Sequence, residues 1–495
     1  MRRRGFALVA ICLIGTAVPR VDPAAAASRA TTLPAARIDS PYVADAMSTS
    51  QYHLTGSDGR TWRDIDPTNL RITFQAPVDL SVILMANADL WTANNGYNQD
   101  LGIAVSGGVA PAIVYPTIAG QPEAWKESGG FAGTRSPNAA FAETVIDLSA
   151  GQTYTFKLLW KTNKRDPGTI YAGAGPLLDG SFSNTRLTAQ LIPPGWEVWT
   201  TESRNQYALG GSDGQTFQPV DPDLLTVSFS STTSGVAFFE VNADLWTAKA
   251  GYNQDIGVRV TPFPNTTNMA TWKESGGFAG TFSPNAAFAQ GSIPIDANTI
   301  YTAEVVAKAN KPDPYPIEIG AGPIAGAYSP TTLTVIVAPN NVGDAVDFGQ
   351  LRLDNSDGRT WQPMDLPTAL VTGVQSSVDC VVIVGANADL FTASSGYNQD
   401  LGIIETIGQD PTEHLIAWKE SGGYAGTFSP NAAYVEAVVQ VSANTLYGFR
   451  PRWKQNRQAP ANSIYAGAGP WPKPQPGMGV SYSPTRITLK PFGCS

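Results

Sequence analysis

Apolar and polar residues alternate along much of this chain with a period of two. Leu70-Arg71-Ile72-Thr73-Phe74 alternates, as do Tyr154–Leu158 and Leu187–Leu191. Such alternation turns one face of an extended segment toward a core and the other toward water. Val82–Met85 is a continuous apolar run, the pattern of a strand covered on both faces. Gly, Pro, Asn and Asp punctuate these stretches, and no segment has a helical period of useful length. The pattern predicts roughly eight to ten strands per unit.

The unit occurs three times. Asn87–Asp100 returns as Asn242–Asp255 and Asn387–Asp400, with 11 of 14 positions identical in all three. Trp125–Phe141 returns as Trp272–Phe288 and Trp418–Tyr434, with 14 of 17 identical. Asp100, Asp255 and Asp400 are 155 and 145 residues apart, which is a domain-sized period and too long for a solenoid of short repeats. The expected fold is all-β: three tandem β-sandwich, jelly-roll-like domains of about 145 residues each. They are placed at 48–193, 203–339 and 347–491, with residues 28–47 as a leader. The linkers are short, so neighbouring domains are expected to touch.

Retention is selective. The residues just before the first block, Asp79–Ala86, Ser234–Val241 and Asp379–Ala386, share no position across all three copies, although all read as core strand. Core positions tolerate volume-conserving apolar swaps, so something more specific than hydrophobicity holds the blocks constant. Turn chemistry accounts for some glycines and prolines, and for Asp58, Asp213 and Asp357 in their Ser-Asp-Gly turns. It explains less of Trp-Lys-Glu and Asn-Gln-Asp.

Those residues are the candidate ligand-binding set. In the first copy they are Asp89, Trp91, Tyr97, Asn98, Gln99, Asp100, Trp125, Lys126 and Glu127. In the second they are Asp244, Trp246, Tyr252, Asn253, Gln254, Asp255, Trp272, Lys273 and Glu274. In the third they are Asp389, Tyr397, Asn398, Gln399, Asp400, Trp418, Lys419 and Glu420, with Phe391 in place of tryptophan. Aromatic faces beside carboxylates and amides suit sugar recognition; the competing role for Trp125 is a core plug. Asp89, Asn98 and Asp100, with their equivalents, are a candidate Ca²⁺ site, since Ca²⁺ takes oxygen ligands. The alternative for them is Asx turns with a salt bridge to Lys126 or Lys161.

Composition narrows the classes. Arg2-Arg3-Arg4, the short apolar stretch Phe6–Val18 and Ala24–Ala27 make residues 1–27 an expected secretory signal, too short for a membrane span. Removing it moves the formal charge from −9 to −12, which disfavours nucleic-acid partners. The only histidines, His53 and His414, are not equivalent, so no histidine-based triad or zinc site recurs. Cys380 and Cys494, both in the third unit, are expected to pair. The sequence therefore leads to a secreted multivalent binding protein for an extracellular glycan or other polymer. A structural or adhesive protein of an extracellular assembly is the alternative, and a glycoside hydrolase using Asp100 and Glu127 is a third reading.

Overall fold

The computed structural model describes residues 37–494 apart from 41, 109–120, 130–132, 134, 264–267, 277–279, 281–283, 339–341, 365–369, 423–429, 460–461 and 471–480. The expected signal 1–27 lies outside the described residues, as do the retained aromatics Phe131, Phe278 and Tyr424.

Eight long strands build the first domain: β1 (Val43–Ser48), β2 (Arg71–Gln75), β3 (Leu80–Thr92), β4 (Gln99–Gly107), β5 (Ala124–Ser128), β6 (Asn138–Leu148), β7 (Thr153–Thr162) and β8 (Thr185–Leu191). They form two antiparallel sheets, with strand orders β1-β8-β3-β6 and β2-β7-β4-β5. A chain that alternates between two four-stranded sheets in this way is a jelly roll. The second domain repeats the winding with β9 (Glu197–Ser203), β10 (Thr226–Phe229), β11 (Gly235–Trp246), β12 (Gln254–Thr261), β13 (Met269–Ser275), β14 (Asn285–Ile295), β15 (Tyr301–Ala309) and β16 (Thr331–Ala338). The third uses β17 (Gly343–Asp347), β18 (Thr372–Gln375), β19 (Cys380–Thr392), β20 (Gln399–Ile407), β21 (His414–Ser421), β22 (Asn431–Val441), β23 (Leu446–Gln455) and β24 (Thr485–Phe492). Short accessory strands lengthen several edges.

The domain starts predicted from sequence fall too late. Positions 48, 203 and 347 end the first strand of each jelly roll, since β1, β9 and β17 begin at Val43, Glu197 and Gly343. The stretch read as a leader also contains a strand, Arg37–Ser40, paired with β1. These first strands pair with β8, β16 and β24.

Each sandwich encloses its own core, for example Leu84, Ala86, Leu101, Ile103, Phe156 and Leu158 in the first. The three cores interlock cyclically within the compact unit Ala35–Ser495. Ala139 of domain 1 enters the core of domain 3, Ala286 of domain 2 that of domain 1, and Ala432 of domain 3 that of domain 2. Phe141, Phe288 and Tyr434, one from each of β6, β14 and β22, meet with ring centroids 4.2, 4.5 and 4.7 Å apart. The domains thus surround an approximate threefold axis, as a cyclic trimer does, but within one polypeptide. Cys380 and Cys494 are disulfide-bonded with Cα atoms 5.1 Å apart, tying the C-terminal tail to the start of β19.

Candidate functional site at the domain interfaces

The retained blocks lie where one domain meets the next. Asn87, within β3, sends both amide hydrogens to carbonyls: Ala140 of its own domain at 3.3 Å and Tyr434 of domain 3 at 3.1 Å. Asn242 does the same to Ala287 and Phe141, and Asn387 to Ala433 and Phe288. A planar amide with two donors can bridge two strands of different domains, so an apolar replacement would orphan buried carbonyls.

Two residues further on, an aspartate closes the same junction. The backbone N–H of Glu127 donates to Asp244 Oδ2 at 3.0 Å, that of Glu274 to Asp389 at 3.0 Å and that of Glu420 to Asp89 at 3.1 Å. The lysine beside each glutamate crosses too. Lys126 Nζ donates to the Pro330 carbonyl of domain 2, Lys273 to Pro484 of domain 3 and Lys419 to Asn184 of domain 1. Trp418 lies 3.4 Å from where a Cβ on Gly175 of domain 1 would sit, and Trp125 3.1 Å from that position at Gly322 of domain 2.

Behind this seam sits a buried charge cluster. Strands β4 and β5 place Asp100 opposite Glu127. Lys161, on β7 and opposite Asp100, is ion-paired with it. Asn98 and Asn163 both donate to Glu127 Oε1, at 2.6 and 3.1 Å. Lys161 rests 4.9 Å from the centroid of the Trp62 ring, which Trp125 meets edge-on. The equivalents Lys308–Asp255 and Lys454–Asp400 are likewise paired and flanked by aromatic rings.

Each interface therefore holds three carboxylates (Asp100, Glu127 and Asp244 at the first) against two ammonium groups (Lys126 and Lys161). Burial and the neighbouring Asp100 push Glu127 up to about 8. Glu274 and Glu420 rise to about 8 for the same reasons, with Asp255 and Asp400 as neighbours. Burial raises Asp244 to about 6, opposed by Lys126, which burial lowers to about 8. A proton retained on Glu127 removes one negative charge from this low-dielectric cluster, where Glu202, Glu143 and Arg204 also act on Lys126.

A second polar layer, on the axis, was not foreseen from sequence. Lys490 of domain 3 donates to Glu240 of domain 2 at 2.6 Å and to Gln190 of domain 1 at 3.3 Å. Glu143 accepts from Thr334 at 2.7 Å and Glu436 from Thr188 at 2.5 Å, both across domain boundaries. The charged members vary between copies: Glu240 corresponds to Met85 and Gly385, Lys490 to Gln190 and Ile336, and Glu143 and Glu436 to Gln290, whereas Thr188, Thr334 and Thr488 are one retained position. The signal was a charge inside an apolar strand, as in Phe238-Phe239-Glu240-Val241.

The structure corrects the expected exposure of the candidate ligand-binding set. Only Trp91, Tyr97, Trp246, Tyr252 and Tyr397 are partly accessible; every other member is buried. Trp91 stacks on Tyr171 at 4.0 Å and donates to the Gly173 carbonyl, and Phe391 stacks likewise on Tyr465 at 5.2 Å. That ring therefore packs within its own domain. The candidate Ca²⁺ ligands are also separated. Asp89 faces Lys419 and Glu420 of domain 3, whereas Asp100 and Asn98 face Lys161 and Glu127 at the opposite interface. Asp100 and Glu127, the pair considered for glycoside hydrolysis, are adjacent but sealed by domain 2 and already occupied by Lys161, Asn98 and Asn163. Asp58, Asp213 and Asp357 cap their own turns, as turn chemistry predicts.

No protein-family model and no curated protein matches the sequence. Among solved structures, the chain is similar to the infectious bursal disease virus VP2 subviral particle, with 10% identity over 93% of this chain and 85% of that one at a TM-score of 0.20. It is also similar to the infectious bursal disease virus Gx strain structure (9%, 91% and 81%, TM-score 0.19) and to PNGF-II (9%, 84% and 99%, TM-score 0.24). Likeness of this degree transfers neither a site nor a function.

Proposed function

We propose that this protein is a structural or adhesive component of an extracellular assembly, exported by its N-terminal signal and acting as a rigid three-lobed body. The observation that carries this reading is the cyclic set of bonds from Glu127, Glu274 and Glu420 N–H to Asp244, Asp389 and Asp89. It gives the retained blocks a reason to be retained that needs no soluble ligand: each must match two domains at once. A multivalent glycan binder built from independent domains would instead keep such residues at the surface.

Two measurements test the proposal. Fractionating the producing cells should recover the protein with the cell surface or extracellular matrix, and deleting it should weaken that material. A protein found free in the medium, with the matrix unchanged on deletion, would sink the assembly role. Calorimetry of the mature chain should give one cooperative transition, because no domain completes its own interfaces. Three separable transitions would contradict the rigid body.

A further inference from the structure

A cavity lies at the junction between domains 1 and 3. It has a volume of about 750 Å³, the size range of a small-molecule site. One wall is the domain 1 turn around Leu177–Asp179; the other is Arg359, Trp361 and the segment 456–458 of domain 3. We propose that this groove binds a neutral oligosaccharide, using Trp361 as the stacking platform. The inference goes beyond the scaffold role, although Trp361 and Lys454 also belong to the charge cluster of that interface.

The platform is rigid. Trp361 is half-buried, with Lys454 Nζ 5.0 Å from its ring centroid and Trp418 meeting it edge-on at 6.2 Å. The opposite wall is rigid as well. Leu177 N–H donates to the Ser181 carbonyl at 2.8 Å and Gly180 N–H to the Leu177 carbonyl at 3.0 Å, holding Leu178, 84% exposed, at the rim. A preorganised aromatic and aliphatic lining loses little freedom on binding.

The polar lining argues for an uncharged ligand. Arg359 and Arg457 share the lining with Asp179 and Asp357, two charges of each sign, and Lys454 is held by Asp400. Asp357 already accepts from Arg359 N–H, Thr360 N–H and the Thr360 hydroxyl, and Asp179 from Ser181. Arg457 is anchored by the Gly396 carbonyl and lies over Tyr397. The groove therefore offers fixed donors and acceptors in balance beside an apolar face. Sugar hydroxyls, which both give and accept hydrogen bonds, and sugar C–H faces match that lining; an isolated anion or cation does not.

At the equivalent position of domain 1, the indole N–H of Trp62 is taken by Gln121 at 3.1 Å, and in domain 2 the residue is Phe217, which is buried.

Tryptophan fluorescence and calorimetric titration of the mature full-length chain test this, with cellotetraose, maltotetraose, N-acetylchitotetraose and tetragalacturonate as probes. At least one neutral tetrasaccharide should bind. Trp361→Ala should weaken it about two- to tenfold, the loss of one stacking contact, and Arg359→Ala should weaken it as well. Trp361→Phe keeps an aromatic ring that domain 2 already tolerates at this position, and should bind several-fold more weakly with an unchanged melting point. The proposal is overturned if none of the probes binds at millimolar concentration, if only tetragalacturonate binds, or if all three variants bind as the parent does.

Discussion

Glu127 and Asp244 are 117 positions apart, yet the N–H of one rests on the carboxylate of the other at 3.0 Å. Lys126, next in the chain, depends on the same aspartate for its countercharge. Asp244→Ala should therefore destabilise the protein by about 3–5 kcal/mol, as loss of one partner of a buried pair does. Asp244→Asn keeps an acceptor for the N–H and should cost less. Urea unfolding of both variants checks this, and equal midpoints for Asp244→Ala and the parent would show the seam to be incidental.

The pH dependence follows from the raised glutamates. Glu127, Glu274 and Glu420 stand near 8 in the folded protein against the ordinary carboxyl value of 4.5. Between those values the folded state holds more protons than the unfolded state, so stability falls as pH rises. Asp89, Asp244 and Asp389, raised to about 6, act in the same direction at lower pH. Lys126, Lys273 and Lys419, lowered to about 8, reverse the slope between there and the ordinary lysine value of 10.5. Thermal midpoints should decline from about pH 5 to a minimum near pH 8. Replacing the three glutamates with glutamine should flatten the decline.

The glycines Gly129, Gly276 and Gly422 should resist substitution. A Cβ on Gly129 would lie 2.3 Å from Asn138 Nδ2 and 2.7 Å from Asn285 Oδ1, and the other two meet the same ring of asparagines. Gly129→Ala should cost roughly 1–3 kcal/mol by overpacking. Adding Asn138→Ala and Asn285→Ala should recover part of that loss relative to the asparagine changes alone. Additive losses would mean that the glycine acts through its own backbone.

Opening the Cys380–Cys494 bond should release the C-terminal tail that follows β24 from the start of β19. The bond spans 114 residues. Its loss is expected to cost about 2–5 kcal/mol, the usual range for a native disulfide. Cys494→Ser, compared with the parent with and without reductant, measures it: reductant should lower only the parent's midpoint.

The alternation in Leu70–Phe74 and the doubly covered Val82–Met85 determined the sandwich from sequence alone, because side-chain direction in a strand has a strict period of two. The winding of the jelly roll matched the same reading. The copies of Asn87, Asp89 and Glu127 marked themselves as constrained, but not by what. A polar residue facing a ligand and one facing another domain obey the same chemistry of donors, acceptors and countercharge, so their identities alone do not separate the two. Only the tertiary structure decided between them, by closing three domains around an axis where Asn87 finds Tyr434 and Glu127 finds Asp244. It also set Glu240 against Lys490 on the axis. That pairing joins positions 250 residues apart in different copies, where no periodicity within one copy could have placed them together.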